Sequence, residues 1–285
     1  MVQSSDKVGV VGCGLMGAGI AETCARAGLE VTVVETNAGA VAAGRQRLET
    51  SLAKAESRGK IASATDVLDR ITIVEGIDAL ADRTLVIEAI MEDEAVKTAL
   101  FRQLDEVVTD VDAILASNTS SIPIIKLATA TGRPQNVLGV HFFNPVPVLS
   151  LVELVPSYLT ADATTERARA FVQEKLGKHA IDCKDRAGFV VNALLVPFLL
   201  SAIRMVEQGV ATAKDIDEGL VRGCAHPQGP LALSDLIGLD TVRAIADSLY
   251  EEFKEPQYAC PPMLARMVDA GLLGRKTGRG FFDYT

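Results

Sequence analysis

Short apolar runs alternate with longer amphipathic stretches over the first two thirds of this 285-residue chain. The runs at Val8–Val11, Val31–Val34, Ile71–Val74, Leu85–Ala89, Ala113–Ala116, Val137–His141, Leu151–Leu154 and His179–Asp182 read as strands, β-branched in character and too short for helices. Between them, Met16–Ala27, Ala38–Arg58 and Glu94–Val108 carry apolar positions at helical spacing. Strands alternating with helices in this way mean βαβ units and a mostly parallel sheet. The runs around His141 and Leu151 are joined only by an Asn-Pro-Val-Pro link, too short for a parallel crossover, so those two strands are expected to pair antiparallel. After Asp182-Cys-Lys-Asp-Arg-Ala-Gly188 the alternation stops and helical patterns take over. The expected architecture is therefore α/β: a Rossmann-type, mostly parallel sheet domain over residues 1–185, then an all-helical domain over residues 186–285.

The first strand runs straight into Gly12-Cys13-Gly14-Leu15-Met16-Gly17, which opens the first helix. Gly12 makes the tight turn off the strand, Gly14 lets a pyrophosphate approach the backbone, and Gly17 lets the helix pack close to the sheet. Phosphates at that place would face unpaired N–H groups at a helix N-terminus, where the dipole favours negative charge. The second strand ends in Glu35, eighteen residues past Gly17. A carboxylate there accepts the ribose hydroxyls of an adenosine and repels a 2′-phosphate. The unit of strand, glycines, helix and terminal acid points to a dinucleotide site.

Composition narrows the remainder. With no Trp and few other aromatics, a chain that is 48% hydrophobic must build an aliphatic core. A net charge of −9 argues against nucleic acid or an anionic membrane as partner, while leaving an anionic small molecule open. The N-terminal segment lacks the apolar core of a secretory signal. The longest apolar stretch, Val190 to Ile203, is interrupted by Asn192, Pro197 and Ser201 and is too short to span a bilayer. Being hydrophobic nearly all round, it is expected either as a central core helix or at a subunit interface. The cysteines Cys13, Cys24, Cys183, Cys224 and Cys260 show no metal-type pairing and read as reduced thiols of a cytoplasmic protein. The three histidines lack ligand spacing, so no metal is expected.

Several residues carry candidate chemistry. His141 ends an apolar strand and Glu153 lies in the next, so the pairing of those strands brings imidazole and carboxylate to one face. A carboxylate on one ring nitrogen fixes the tautomer and leaves the other nitrogen to take a proton; the alternative is a buried histidine satisfied by a structural acid. Ser117-Asn118-Thr119-Ser120-Ser121 follows an apolar strand, where polar groups face the ligand crevice of a doubly wound sheet, though one of them also suits a helix N-cap. Asn192, inside an apolar helix, needs a partner, either another helix or a substrate. Arg47, Ser51, Lys54 and Arg58 recur at spacings that line one helix face. Residues 45–60 hold five basic side chains against Glu49 and Glu56, a local +3 that suits either a solvated face or an anionic ligand.

At this point the chain resembles the 3-hydroxyacyl-CoA dehydrogenase family, its short bacterial members above all. The resemblance spans almost the whole length. It is carried by Gly12–Gly17, Val86-Ile-Glu-Ala-Ile-Met-Glu92, Ala116-Ser-Asn-Thr-Ser120, Gly139-Val-His-Phe-Phe-Asn-Pro145 and Lys184-Asp-Arg-Ala-Gly-Phe-Val-Val-Asn192. His226-Pro-Gln-Gly-Pro-Leu and Gly274-Arg-Lys-Thr-Gly-Arg-Gly-Phe281 complete it. The resemblance implies an N-terminal domain holding NAD, a helical C-terminal domain forming a homodimer, and an acyl-CoA substrate. It implies His141 as catalytic base, Glu153 as its partner, and Ser120 and Asn192 as substrate contacts. Glu92, Lys97, Ser120, Asn144 and Lys276 match cofactor-contacting positions beside the glycine loop and Glu35. Ser51, with Lys54, Arg58 and Lys60 as the basic candidates, matches the CoA contacts. Arg186-Ala187 departs from the commoner Thr-Pro or Ser-Pro of the family. Two rival readings are a dehydrogenase of a free 3-hydroxy acid, which calls for a catalytic lysine and no basic stripe, and a non-catalytic NAD-binding protein of the same fold.

Overall fold

Strands Val8–Val11 (β1), Leu85–Glu88 (β4) and Ile114–Ser117 (β5) are buried at every position in the computed structural model, which describes residues 6–285. Burial on both faces is what parallel strands covered by helices require. With Val31–Glu35 (β2), Ile71–Glu75 (β3), Val137–Phe142 (β6), Leu151–Pro156 (β7) and His179–Asp182 (β8) they form one eight-stranded sheet in the order β3-β2-β1-β4-β5-β6-β7-β8. Pairings from β3 through to β6 are parallel, β7 runs antiparallel to β6 as expected, and β8 is parallel to β7. Strand order reverses between β1 and β4, and a ligand crevice opens outside the carboxyl ends of strands at such a point.

The strand positions match the sequence reading to within a residue or two. The fifth strand begins at Ile114 rather than Ala113, because the Ala113 N–H closes a turn onto the Asp110 carbonyl and the ladder starts with Ile114. Helices α1 (Leu15–Arg26), α2 (Ala38–Ser57), α3 (Ala64–Leu68), α4 (Glu94–Val107), α5 (Ile124–Ala128) and α6 (Asp162–Ala170) accompany this sheet. The longer connectors start on sequence-coded caps: Asn37 accepts from the Ala40 N–H and Asp93 from the Val96 N–H, both at 2.9 Å. The core is aliphatic, with Val8, Val10, Ile20, Val33, Leu48 and Leu52 essentially inaccessible. Each such side chain contributes about 1.5–3 kcal/mol by leaving water.

The chain divides into two compact units, the first ending at Asp185 and the second beginning at Arg186. The second unit is helical: α7 (Val191–Glu207), α8 (Ala213–Cys224), α9 (Pro230–Ile237), α10 (Leu239–Phe253) and α11 (Pro262–Asp269). Its core gathers Leu199, Leu200 and Ile203 of α7 with Leu231, Val242 and Leu249. On α7, Leu194 remains 73% exposed. Among the described residues, no helix is long and apolar enough to cross a membrane.

Candidate functional site

The glycine loop turns off β1 at the topological switch. Gly12 has φ +92°, a conformation L side chains avoid, and its N–H donates to the Val34 carbonyl at 2.9 Å. A Cβ on Gly17 would stand 1.8 Å from the Gly12 carbonyl oxygen, so the helix can approach the loop only without a side chain. Gly14 caps α1 with no side-chain hydrogen bond, and a Cβ there would meet nothing within 4 Å. Open space above an uncapped helix N-terminus is what a pyrophosphate needs. Leu15 is largely exposed beside it and Met16 half-buried. Glu35, at the end of β2, accepts the Cys13 N–H at 2.5 Å and so ties the second strand to the loop.

Cys13 is buried and its thiol is pushed up to about 11, by burial first and by the charge of Glu35 second. The Arg47 guanidinium donates to the Cys13 carbonyl at 2.5 Å. Arg47 therefore braces the glycine loop, a role its place in a basic stripe did not reveal.

At the ends of β4 and β5 lies a buried polar cluster. The Lys97 ammonium sits 2.5 Å from Glu88 and 3.2 Å from Glu92. Glu88 also accepts the Ser117 hydroxyl at 2.6 Å and the Ile90 N–H at 2.7 Å. Glu92 accepts the Thr119 hydroxyl at 2.5 Å, the Ser120 N–H at 3.0 Å and the Ser121 hydroxyl at 3.0 Å. Burial alone would raise the Glu92 carboxyl, but Lys97, Thr119 and the Ser120 N–H outweigh it and hold it below the ordinary range. Lys97 is 1% exposed, so it acts through these carboxylates, and the half-buried Ser120 is presented by the loop Glu92 gathers. Sequence reading missed Glu88, although a charged residue closing a fully apolar strand was its signal.

His141 and Glu153 face each other in register across β6 and β7, with Nδ1 and Oε2 2.7 Å apart. Both are buried, and Phe143 packs against the imidazole with ring centroids 4.6 Å apart. Asn118 steadies this end of β6 by accepting the Phe142 N–H at 2.8 Å. Asn144 follows, exposed, before a cis peptide to Pro145. None of the Ser and Thr hydroxyls caps α5. Its first N–H groups, from Ile124 and Ile125, instead meet the Asp185 carboxylate at 2.8 Å each. Burial pushes that carboxyl up against the stabilising pull of those two N–H groups.

The basic helix α2 lines an open groove of about 500 Å³ with Gln46, Arg47, Thr50, Ser51 and Lys54. Arg58 and Lys60 lie beyond it, at and past the C-terminus of α2. Glu56 is drawn away by accepting the Ala64 N–H at 2.9 Å.

In the second unit, Asn192 is half-buried in the first turn of α7, not deep within an apolar helix as its surroundings suggested. The helix starts only at Val191, after Gly188 and Phe189 turn the chain with φ +73° and +47°. Lys276 lies in a short turn of this unit, 2.5 Å from Asp240.

Residues 7–186 match the NAD-binding domain of 3-hydroxyacyl-CoA dehydrogenase, and residues 188–284 match that family's C-terminal domain. The chain is 58% identical to 3-hydroxybutyryl-CoA dehydrogenase of Mycobacterium tuberculosis, over 100% of both chains. It is 40% identical to human mitochondrial hydroxyacyl-coenzyme A dehydrogenase, covering 97% of this chain and 90% of that one. Among solved structures, M. tuberculosis FadB2 superposes with a TM-score of 0.98 at 57% identity, covering 99% and 100% of the two chains. The (S)-3-hydroxybutyryl-CoA dehydrogenase PaaH1 of Ralstonia eutropha gives 0.92 at 43%, with the same coverage. A glycine loop opening the first helix, a buried His–Glu pair and these matches over the full length lead to one conclusion: the chain belongs to the 3-hydroxyacyl-CoA dehydrogenase family.

Proposed function

We propose that this protein catalyses the reversible, NAD-dependent oxidation of (S)-3-hydroxyacyl-CoA, with short chains such as 3-hydroxybutyryl-CoA as substrate, to the 3-oxoacyl-CoA. The observation that carries the reading is the His141–Glu153 pair, buried at the carboxyl end of the sheet in a chain of this family. Bound NAD supplies the hydride acceptor. With Nδ1 engaged by Glu153, Nε2 of His141 takes the proton of the 3-hydroxyl, and Glu153 stabilises the imidazolium as it forms. Ser120 aligns the substrate oxygen. The glycine loop and Glu35 hold the dinucleotide, and Glu92 and Asn144 contact its other half. Ser51 and Lys54 in the α2 groove receive the anionic CoA, with Arg58 and Lys60 adding long-range attraction.

The same reading makes the protein a cytoplasmic homodimer joined through its helical unit. The exposed Leu194 on the largely apolar helix α7 supports that interface.

Following NADH absorbance with acetoacetyl-CoA, and separately with free acetoacetate, tests the activity. Rapid turnover of the thioester alone is expected. Equal turnover of the free acid would favour the free-acid reading, and binding of NAD without any turnover the non-catalytic one.

A further inference from the structure

Charge in the cofactor crevice does not balance. Two carboxylates, Glu88 and Glu92, share the single ammonium of Lys97, which is nearer to Glu88 at 2.5 Å than to Glu92 at 3.2 Å. Glu88 is fully buried and also accepts the Ser117 hydroxyl at 2.6 Å and the Ile90 N–H at 2.7 Å. Glu92 is also surrounded by donors, and its side chain is 38% exposed, so its charge reaches the surface of the crevice. Glu88 is the last residue of β4, in register with Val11 of β1 just before the glycine loop. The cluster thus stands at the switch point itself.

A nicotinamide ring is cationic when oxidised and neutral once it has accepted a hydride. A fixed negative charge nearby therefore discriminates between the two forms, and a low-dielectric surrounding strengthens the effect. We propose that Glu88, by neutralising Lys97, leaves the crevice one net negative charge and thereby favours NAD⁺ over NADH. Glu88 is a positioning residue in this scheme, acting through Lys97 and Glu92. Replacing it by a neutral isostere lets Lys97 cancel Glu92, and the bias is lost. The inference rests on the NAD-binding reading of the glycine loop.

The test measures dissociation constants for NAD⁺ and for NADH separately, by calorimetry and by NADH fluorescence, with thermal melts as a check on folding. In Glu88→Gln the preference for NAD⁺ relative to wild type is expected to fall about fivefold to tenfold, as removal of one partly screened charge implies. The double variant Glu88→Gln with Lys97→Gln restores the net charge of the cluster and is expected to restore the wild-type ratio. Equal weakening of both cofactor forms in Glu88→Gln, or a ratio that the second substitution fails to restore, would overturn the proposal. If Glu88→Gln alone does not fold, the double variant decides by itself, a lowered ratio counting against the idea. Wild-type protein that binds neither form would instead remove the NAD reading on which the proposal stands.

Discussion

Two acid–base assemblies sit at the carboxyl ends of the parallel strands, and they are built in opposite ways. His141 and Glu153 come from antiparallel neighbours and meet because register puts them opposite each other. Glu88, Lys97 and Glu92 are gathered from β4, the loop after it and α4, with hydroxyl and N–H donors from β5 and the Ser120 loop. The first assembly offers an imidazole whose protonation can change during a reaction. The second surrounds each carboxylate with donors, which fixes its geometry and orders the loop. One is suited to moving a proton, the other to holding charge and geometry still.

The comparison is broken most severely at His141. His141→Gln removes the base while keeping an uncharged hydrogen-bonding side chain against Glu153. We expect kcat to fall at least about a hundredfold with NAD affinity nearly unchanged. A folded variant turning over at the wild-type rate would take His141 out of the mechanism. Glu153→Gln should have a smaller effect, on the order of tenfold, because a neutral amide supports the imidazolium less well. Its pH–rate profile should move as well; an unchanged rate and profile would reduce Glu153 to a packing role.

The mildest prediction leaves both assemblies intact and acts on α2. Lys54→Glu with Arg58→Glu should raise KM for acetoacetyl-CoA several-fold and flatten its dependence on salt, with NAD affinity and kcat little changed. An unaltered KM would remove the groove from substrate capture. Arg47 is left out of that pair because it braces the glycine loop through the Cys13 carbonyl, so changing it would disturb both sites together.

Much of this was legible in the one-dimensional pattern. Buried parallel strands must be apolar throughout, so Val8–Val11 and Ala113–Ala116 stand out against amphipathic helices, and the short Asn144–Pro147 link forbids a parallel crossover. The glycines at 12, 14 and 17 were readable because each meets a local steric demand, and Glu35 because it ends the next strand. His141 and Glu153 could be paired on paper once their strands were known to be adjacent.

What only the tertiary structure decided is how polar groups far apart in sequence satisfy one another. Asp185 caps a helix that starts sixty-one residues earlier, Arg47 reaches back thirty-four residues to the glycine loop, and Glu88 takes a hydroxyl from Ser117 twenty-nine residues on. Local spacing allowed a Ser or Thr cap for α5 and either a solvated or an anion-facing Arg47, and these readings were locally sound. Burial removes water as a partner, however, and each ionised or donating group then pairs with whatever the fold brings within about 3 Å. Hydrophobic periodicity determined the scaffold, because it is a property of neighbouring residues; the wiring of the site depended on distances between elements, which exist only once the chain has folded.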